Sequence, residues 1–216
     1  MTHIVVLGGT GYTGAHLAAE AASRGLEVTS WSRSLPESPV DGVSYETGDL
    51  QDAATLARAV QGADVVLGSV SPRGDLAGGR LRPLYAELAK LSAAEGARWV
   101  VIGGFSSLRL AEGQDRIAYG DDVPPQFLEE ARTAAQIADD LVTDAPENLD
   151  WVFVSPAGTY GSYAPGEKVG TYRTSGEVAL FDESGQSAIG GHDFAAAVID
   201  EIVTPTVHRG QIGFLY

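Results

Sequence analysis

Short apolar runs alternate with stretches of helical periodicity over most of the chain. The apolar runs are bounded by turn residues, which predicts buried strands at 4–7, 26–31, 43–46, 64–70, 98–102 and 151–155. Apolar positions spaced by three and four residues predict helices at 15–23, 52–60, 80–95 and 125–142. This alternation is typical of a doubly wound parallel α/β sheet with helices on both faces.

Particular residues mark the ends and faces of these helices. Asp52 is the predicted N-cap of the second helix, and Gly96 follows the third helix where a left-handed C-terminal residue is favoured. In the fourth helix, one apolar face is predicted to run from Phe127 to Val142.

The regular alternation stops after the sixth strand. Residues 156–191 are rich in Gly, Pro, Ser and Tyr, and a helix at 193–203 and a last strand at 211–216 follow them. We find no repeat or linker, so we expect one domain over residues 1–216, with 156–191 as a small substrate-side region. The apolar end, residues 212–216, is either a core strand or part of a homodimer interface.

Charge and composition exclude several classes of function. The 14 Lys and Arg against 29 Asp and Glu give a net charge of −15, which repels the phosphate backbone of nucleic acids. A nucleotide cofactor remains compatible, because backbone dipoles and a single arginine act locally. The absence of cysteine excludes thiol catalysis and disulfides, and the 4 histidines lack the spacing of metal ligands.

The hydropathy pattern favours a cytoplasmic protein. No apolar run approaches the roughly 18 residues that a transmembrane helix requires. Residues 1–4 enter an apolar run without a basic segment, so we expect no secretory signal and no membrane partner.

A glycine-rich turn joins the first predicted strand to the first helix. Gly8, Gly11 and Gly14 form G-x-x-G-x-x-G in a strand–turn–helix context. Glycines there permit a tight turn, close approach of the backbone to a pyrophosphate, and close packing of helix on strand. This arrangement predicts a Rossmann fold that binds a dinucleotide.

The end of the second strand predicts which dinucleotide is bound. A protein that binds NAD places an acidic residue there for the ribose hydroxyls, whereas this chain has Trp31-Ser32-Arg33-Ser34. Arg33 is suited to pair with a 2′-phosphate. We therefore expect NADP (NADPH) rather than NAD; the alternative is that Arg33 is an ordinary surface residue.

These motifs resemble the atypical short-chain dehydrogenase/reductases. Within them, the chain is similar to the NAD(P)H-binding group described as NADH-flavin reductases, to which biliverdin reductase B also belongs. The resemblance spans essentially the whole chain and rests on the glycine turn, Arg33, Gly48-Asp49-Leu50, and the segments VVIGGFSSL, DWVFVSPAGTYGSYAPGEKVGTYR and GQSAIGGHDFAAAVIDEI.

The resemblance implies a set of cofactor contacts at the carboxyl ends of the strands. The pyrophosphate would contact the glycine turn at Gly8, Thr10, Gly11, Tyr12 and Thr13, and the 2′-phosphate would contact Arg33. The adenine would contact Asp49 and Leu50 after the third strand. The nicotinamide half would contact Gly68, Ser69 and Val70 at the fourth strand, and Ser155, Pro156 and Ala157 at the sixth.

The catalytic residues are less well marked. The Tyr-x-x-x-Lys pair of common short-chain dehydrogenases is absent, since Tyr85 and Lys90 are five residues apart and lie one helix too early. Hydride transfer needs no protein nucleophile, because the cofactor carries the chemistry. Ser106 and Ser107 are the candidate polar catalytic residues, although a turn or helix cap explains them equally well.

The substrate side carries several aromatic residues and an arginine. Phe105, Tyr160, Tyr163 and Arg173, together with Tyr172, are candidate contacts for a planar, anionic substrate. Loop tyrosines also serve as packing and hydrogen-bonding anchors, so that alternative stays open.

Three functions are compatible with these residues. The first is an NADPH-dependent reductase of a flavin, quinone or other conjugated small molecule. The second is a non-catalytic NADP-binding regulator, and the third is a biosynthetic epimerase, dehydratase or isomerase. The fold alone cannot separate them, because function depends on the site that a fold carries.

Overall fold

The computed structural model describes all residues, 1–216, and its strands form a single sheet. Eight strands occur in the order β3-β2-β1-β4-β5-β6-β8-β7, and all pairs are parallel except β7 with β8. The strands are β1 (His3–Leu7), β2 (Glu27–Ser32), β3 (Val43–Thr47), β4 (Val65–Gly68), β5 (Arg98–Ile102), β6 (Trp151–Pro156), β7 (Arg173–Ser175) and β8 (Gly210–Leu215).

Five α-helices cover both faces of the sheet. They are α1 (Tyr12–Ser23), α2 (Ala53–Val60), α3 (Leu81–Glu95), α4 (Leu128–Asp144) and α5 (Gly191–Val203). Alternate residues of β1 face opposite layers: Val5 lies in the buried cluster that includes α2, α3 and α4, whereas Ile4 lies in the cluster that includes α1 and α5. The doubly wound α/β fold predicted from the sequence is therefore confirmed.

The predicted helix ends are found in the structure. Asp52 caps α2, where its carboxylate accepts the Thr55 N–H at 2.8 Å. Gly96 ends α3 with a φ of +72°, in the left-handed region that a side chain disfavours.

Two sequence predictions are corrected by the structure. The predicted face of α4 is wrong at its ends, because the side chains of Phe127 and Val142 are exposed while Thr133 and Ile137 are buried. The strand β7 within 156–191 was not predicted, because its three residues carry no apolar alternation and pair at the sheet edge. Of the apolar end, residues 212–215 belong to β8, which lies between β6 and β7 as a core strand.

No helix of the protein combines the length and the apolar character that crossing a membrane requires.

A buried ion pair joins the start of β5 to the end of α5, at the amino ends of the strands, whereas the glycine turn lies at their carboxyl ends. The Arg98 guanidinium donates to the Glu201 carboxylate and to the Glu201 carbonyl, both at 2.8 Å. Both side chains are almost fully buried. Removing one partner of such a pair leaves a buried charge without its counterion.

Arg98→Met is therefore expected to destabilise the protein without touching the glycine turn. The cost of breaking a buried pair is about 3 kcal/mol, which corresponds to a melting temperature lower by roughly 6–12 °C for a chain of this size. Thermal unfolding followed by circular dichroism measures this shift, and an unchanged melting temperature would contradict the structural role of the pair.

Asp193 ties the 156–191 region and the C-terminus to α5. Its buried carboxylate accepts the N–H groups of Val169 and Gly170 and the hydroxyl of Tyr216, at 2.7, 2.9 and 2.7 Å. Burial alone would raise the pKa of Asp193, but these three donors hold it below its ordinary value of 3.8. A carboxylate with a lowered pKa stabilises the fold above its unfolded-state pKa, and this contribution is lost as the pH falls through the lower value.

Acidification is thus expected to lower the unfolding free energy of the wild-type protein by more than it lowers that of the Asp193→Asn variant. Urea unfolding at pH 7 and at about pH 3 gives the loss of unfolding free energy for each protein. Equal losses in the two proteins would show that Asp193 does not contribute to the pH dependence.

Candidate functional site

The glycine turn between β1 and α1 is tightly packed. Gly8 has a φ of +86°, and a Cβ on Gly14 would lie 2.3 Å from the Gly8 carbonyl oxygen. A Cβ on Gly9 would lie 2.1 Å from the Ser30 Oγ. Gly9 and Gly14 therefore serve the packing of α1 against the sheet, and Gly8 serves the backbone turn.

Gly11 differs from these glycines, because the space beside it is open. A Cβ there would meet only the Gly8 oxygen, at 3.3 Å, and Gly11 is the exposed N-cap of α1 with no side-chain cap. The first α-helical hydrogen bond runs from the Ala15 N–H to the Gly11 carbonyl at 2.8 Å. The preceding N–H groups, those of Tyr12 and Thr13 among them, thus have no α-helical partner and suit an anion.

A cavity of about 290 Å³ opens beside Gly11, at the carboxyl ends of β1, β2 and β4. Eight of the predicted cofactor residues line it: Gly8, Thr10, Gly11, Arg33, Asp49, Leu50, Ser69 and Val70. The rest of the lining consists of Ser32, which neighbours the predicted phosphate contact Arg33, and seven residues that the sequence did not assign to the cofactor: Trp31, Gly48, Gln51, Ser71, Arg73, Asp75 and Leu76.

The other predicted cofactor residues lie outside this cavity: Tyr12, Thr13, Gly68, Ser155, Pro156 and Ala157. Gly68 is buried in β4, where a Cβ would lie 2.5 Å from the Trp99 ring. The Ser155 hydroxyl is fully buried and accepts the Gln211 Nε2 donor at 2.9 Å. In this structure, Gly68 and the Ser155 hydroxyl are therefore parts of the core.

Ser32 and Arg33 shape one wall of the cavity. The Ser32 Oγ accepts the Thr10 N–H at 3.1 Å, which links the end of β2 to the glycine turn. The Arg33 side chain is 79% exposed and contacts the Asp75 carboxylate at 3.2 Å. An ion pair this exposed contributes little to stability, so Arg33 is free to exchange Asp75 for another anion.

The segment after β5 forms a short 3-10 turn, Phe105–Ser107. Phe105 packs edge-to-face against Phe181 of the 156–191 segment, with ring centroids 6.1 Å apart. Ser106 is half-buried, whereas the Ser107 hydroxyl is fully buried and has no hydrogen-bond partner. Of the two candidate catalytic serines, the structure leaves only Ser106 accessible.

The aromatic residues predicted for the substrate side are dispersed. Tyr160 donates its hydroxyl to the Thr13 Oγ1 at 2.9 Å, and burial of this phenol raises its pKa. Tyr163 is 77% exposed, and Tyr172 donates to Asp200 on α5 at 2.6 Å. Arg173 donates to the backbone carbonyl of Tyr216.

These positions bear on the substrate prediction. Tyr172 and Arg173 are held by α5 and the C-terminus, and none of the predicted substrate residues lines the cavity beside Gly11. Tyr160 does adjoin the start of α1, through Thr13.

Comparison with known proteins agrees with the geometry of the glycine turn. A family model described as NAD(P)H-binding matches residues 8–205, which begin at the first glycine of the turn. The protein belongs to this NAD(P)H-binding family. Membership makes a nicotinamide dinucleotide the cofactor, without distinguishing NADP from NAD.

Solved structures resembling this family member span its full length. A proposed epimerase from Bacteroides thetaiotaomicron has a TM-score of 0.87 and 28% identity, covering 100% of this chain and 97% of that one. A proposed NADH-flavin reductase from Streptococcus pneumoniae has a TM-score of 0.83 and 29% identity, covering 100% and 99%. A proposed exported protein from Burkholderia pseudomallei has a TM-score of 0.85 and 32% identity, covering 100% of both chains.

Proposed function

We propose that this protein is an NADPH-dependent oxidoreductase that reduces a flavin, a quinone or another conjugated small molecule. The observation that carries the proposal is the cavity beside Gly11, with Arg33 on its wall and no acidic residue at the end of β2. Similarity to a proposed NADH-flavin reductase supports the same class of reaction.

The residues of the cavity fit the cofactor group by group. The open space at Gly11 and the free N–H groups at the start of α1 suit the pyrophosphate. The Arg33 guanidinium suits a 2′-phosphate, and Asp49 and Leu50 would flank the adenine. Ser69 and Val70 would lie beside the nicotinamide ribose, in keeping with the implied contacts of this fold.

Little acid–base chemistry is required of the protein. When bound, the reduced nicotinamide supplies the hydride, and the chain has to orient the acceptor and exclude water. Ser106, at the exit of β5, is the group that we propose to donate a hydrogen bond or proton to the reduced acceptor. No Tyr-x-x-x-Lys pair takes part.

The two serines give a sharp test of this assignment. Ser107→Ala is expected to leave kcat unchanged and the melting temperature unchanged or higher, because it removes a buried hydroxyl without a partner. Ser106→Ala is expected to lower kcat by about 100-fold, the lower end of the contribution of a positioned proton donor. Both variants are compared with wild type in steady-state NADPH oxidation, and a larger kcat loss for Ser107→Ala would reverse the assignment.

Turnover itself is tested with a panel of acceptors. NADPH oxidation is followed at its absorbance maximum with FMN, FAD, a benzoquinone and a naphthoquinone, under anaerobic conditions that exclude reoxidation by oxygen. We expect at least one acceptor to be reduced catalytically, and no turnover with any of them would count against the reductase.

A non-catalytic NADP-binding regulator is the second candidate. It is favoured by the buried Ser107 hydroxyl and by the engagement of Tyr172 and Arg173 with partners of their own. Tight binding of NADPH without reduction of any acceptor would support this function over the reductase.

The compartment and partner follow from the proposed reaction. A reductase that consumes NADPH needs a compartment that regenerates it, so we propose a cytoplasmic location with a small molecule as the substrate.

A further inference from the structure

A buried arginine lies behind the Phe105–Ser107 turn. The Arg116 side chain is 3% exposed, and its Nε donates to the Asp139 carboxylate on α4 at 2.7 Å. Its Nη1 donates to the Ser107 carbonyl and, at 2.7 Å, to the Gln211 Oε1. One guanidinium therefore connects α4, the turn after β5, and β8.

Gln211 extends this connection to the end of β6. Its Nε2 donates to the Ser107 carbonyl at 3.3 Å and to the Ser155 hydroxyl at 2.9 Å. The Ser107 carbonyl thus receives two side-chain donors, and both donors are buried. The side-chain amide of Gln211 therefore connects the turn to the carboxyl end of β6, where we expect the nicotinamide.

The turn has little other polar support. Its backbone contributes two short-range bonds, from the Ser107 N–H to the Gly104 carbonyl at 3.1 Å and from the Leu108 N–H to the Phe105 carbonyl at 2.9 Å. The Ser107 hydroxyl has no partner. Of the two glycines before the turn, Gly103 is held by its N–H bond to the Val154 carbonyl at 2.8 Å and by the Phe153 ring, whereas Gly104 has open space beside its Cα.

A buried ion pair is weak evidence for stability, because desolvation of the two charges offsets their attraction. In the Arg116–Asp139 pair only the guanidinium is buried, since the Asp139 side chain is 42% exposed, so the desolvation cost falls mainly on Arg116; a fixed geometry is a recognised benefit of such a buried charge. Here the geometry that is fixed belongs to the Phe105–Ser107 turn, which carries Phe105 and Ser106.

We propose that Arg116 is a positioning residue, which acts through the Ser107 carbonyl to hold Phe105 and Ser106 in place against the acceptor. This inference rests on the proposed reductase function for its catalytic consequence. The position of the turn itself is open to measurement without turnover.

The test compares Arg116→Met with Arg98→Met. Both substitutions remove a buried, ion-paired guanidinium and keep an unbranched stem, but Arg98 lies at the amino end of β5, away from the turn that follows its carboxyl end. Arg116→Lys keeps the charge and one donor for the Ser107 carbonyl. Each protein is measured well below its melting temperature for kcat, for the NADPH dissociation constant, and for hydrogen exchange of the peptide 103–110.

We expect Arg116→Met to lower kcat by about tenfold or more and to speed exchange of the Ser107 and Leu108 amides, with NADPH affinity within about twofold of wild type. Arg116→Lys should recover part of the lost kcat. Arg98→Met should leave kcat and the exchange of peptide 103–110 unchanged despite a lower melting temperature. Unchanged exchange at 103–110, or a kcat loss no greater than that of Arg98→Met, would overturn the proposal.

The outcome also separates this inference from the proposed function. If wild type reduces no acceptor, the reductase proposal fails, and the exchange of peptide 103–110 still decides whether Arg116 holds the turn.

Discussion

Gly11→Val is expected to abolish NADPH binding while leaving the fold intact. Gly11 has extended backbone angles, φ −74° and ψ 165°, that valine adopts readily, and a Cβ there would contact only the Gly8 oxygen. The added methyl groups would instead fill the space that a pyrophosphate needs beside the start of α1. We expect a loss of at least about 100-fold in NADPH affinity, which is about 2.7 kcal/mol, measured by isothermal titration calorimetry.

Gly14→Ala is the matched control within the same turn. Its methyl group would collide with the Gly8 carbonyl and the Gly9 backbone, so the loss should be of stability, by about 1–3 kcal/mol for an overpacked site. Circular dichroism separates the two effects. Gly11→Val with wild-type NADPH affinity would show that the cofactor does not approach this turn.

Arg33→Ala is expected to remove the preference for NADPH over NADH. The exposed guanidinium is the cation at the end of β2 on the cavity wall, and a charge-assisted hydrogen bond to a 2′-phosphate exists only with NADPH. NADPH affinity should fall by about tenfold or more, with NADH affinity nearly unchanged.

Asp75→Asn provides a control of opposite sign. Asp75 pairs with Arg33 across the cavity, so it competes with a phosphate for the guanidinium. Neutralising it is expected to raise NADPH affinity severalfold at low salt and less at high salt.

An unchanged ratio of NADPH to NADH affinity in Arg33→Ala would contradict the role of Arg33. Another residue would then select the cofactor, and Arg73 of the same cavity would be the first to examine.

The sequence predicted the sheet and the glycine turn because both depend on local patterns. Apolar runs mark the buried parallel strands. The number of residues between Gly8 and Arg33 is set by α1 and β2, the helix and the strand that separate them in sequence. Residues that follow the carboxyl ends of different parallel strands, such as Asp49 after β3 and Ser69 after β4, then lie along the same cavity.

The rest of the site depends on contacts between distant segments. Asp75 approaches Arg33 only because the loop after β4 folds over the cavity, and its acidic side chain carries no motif. Ser106 and Ser107 are adjacent in sequence, yet the direction of the turn leaves one half-buried and encloses the other. Arg116 was not predicted either, because an isolated arginine in a polar loop gives no sign of burial before its partners on α4 and β8 are known.

The most direct measurement is the affinity of the wild-type protein for NADPH and for NADH, determined by isothermal titration under one set of salt and pH conditions. If the proposal is right, the cavity with Arg33 on its wall binds one NADPH per chain, at least about tenfold tighter than NADH. Equal affinity for the two dinucleotides would contradict the role of Arg33, and binding of neither would contradict the assignment of the cavity itself.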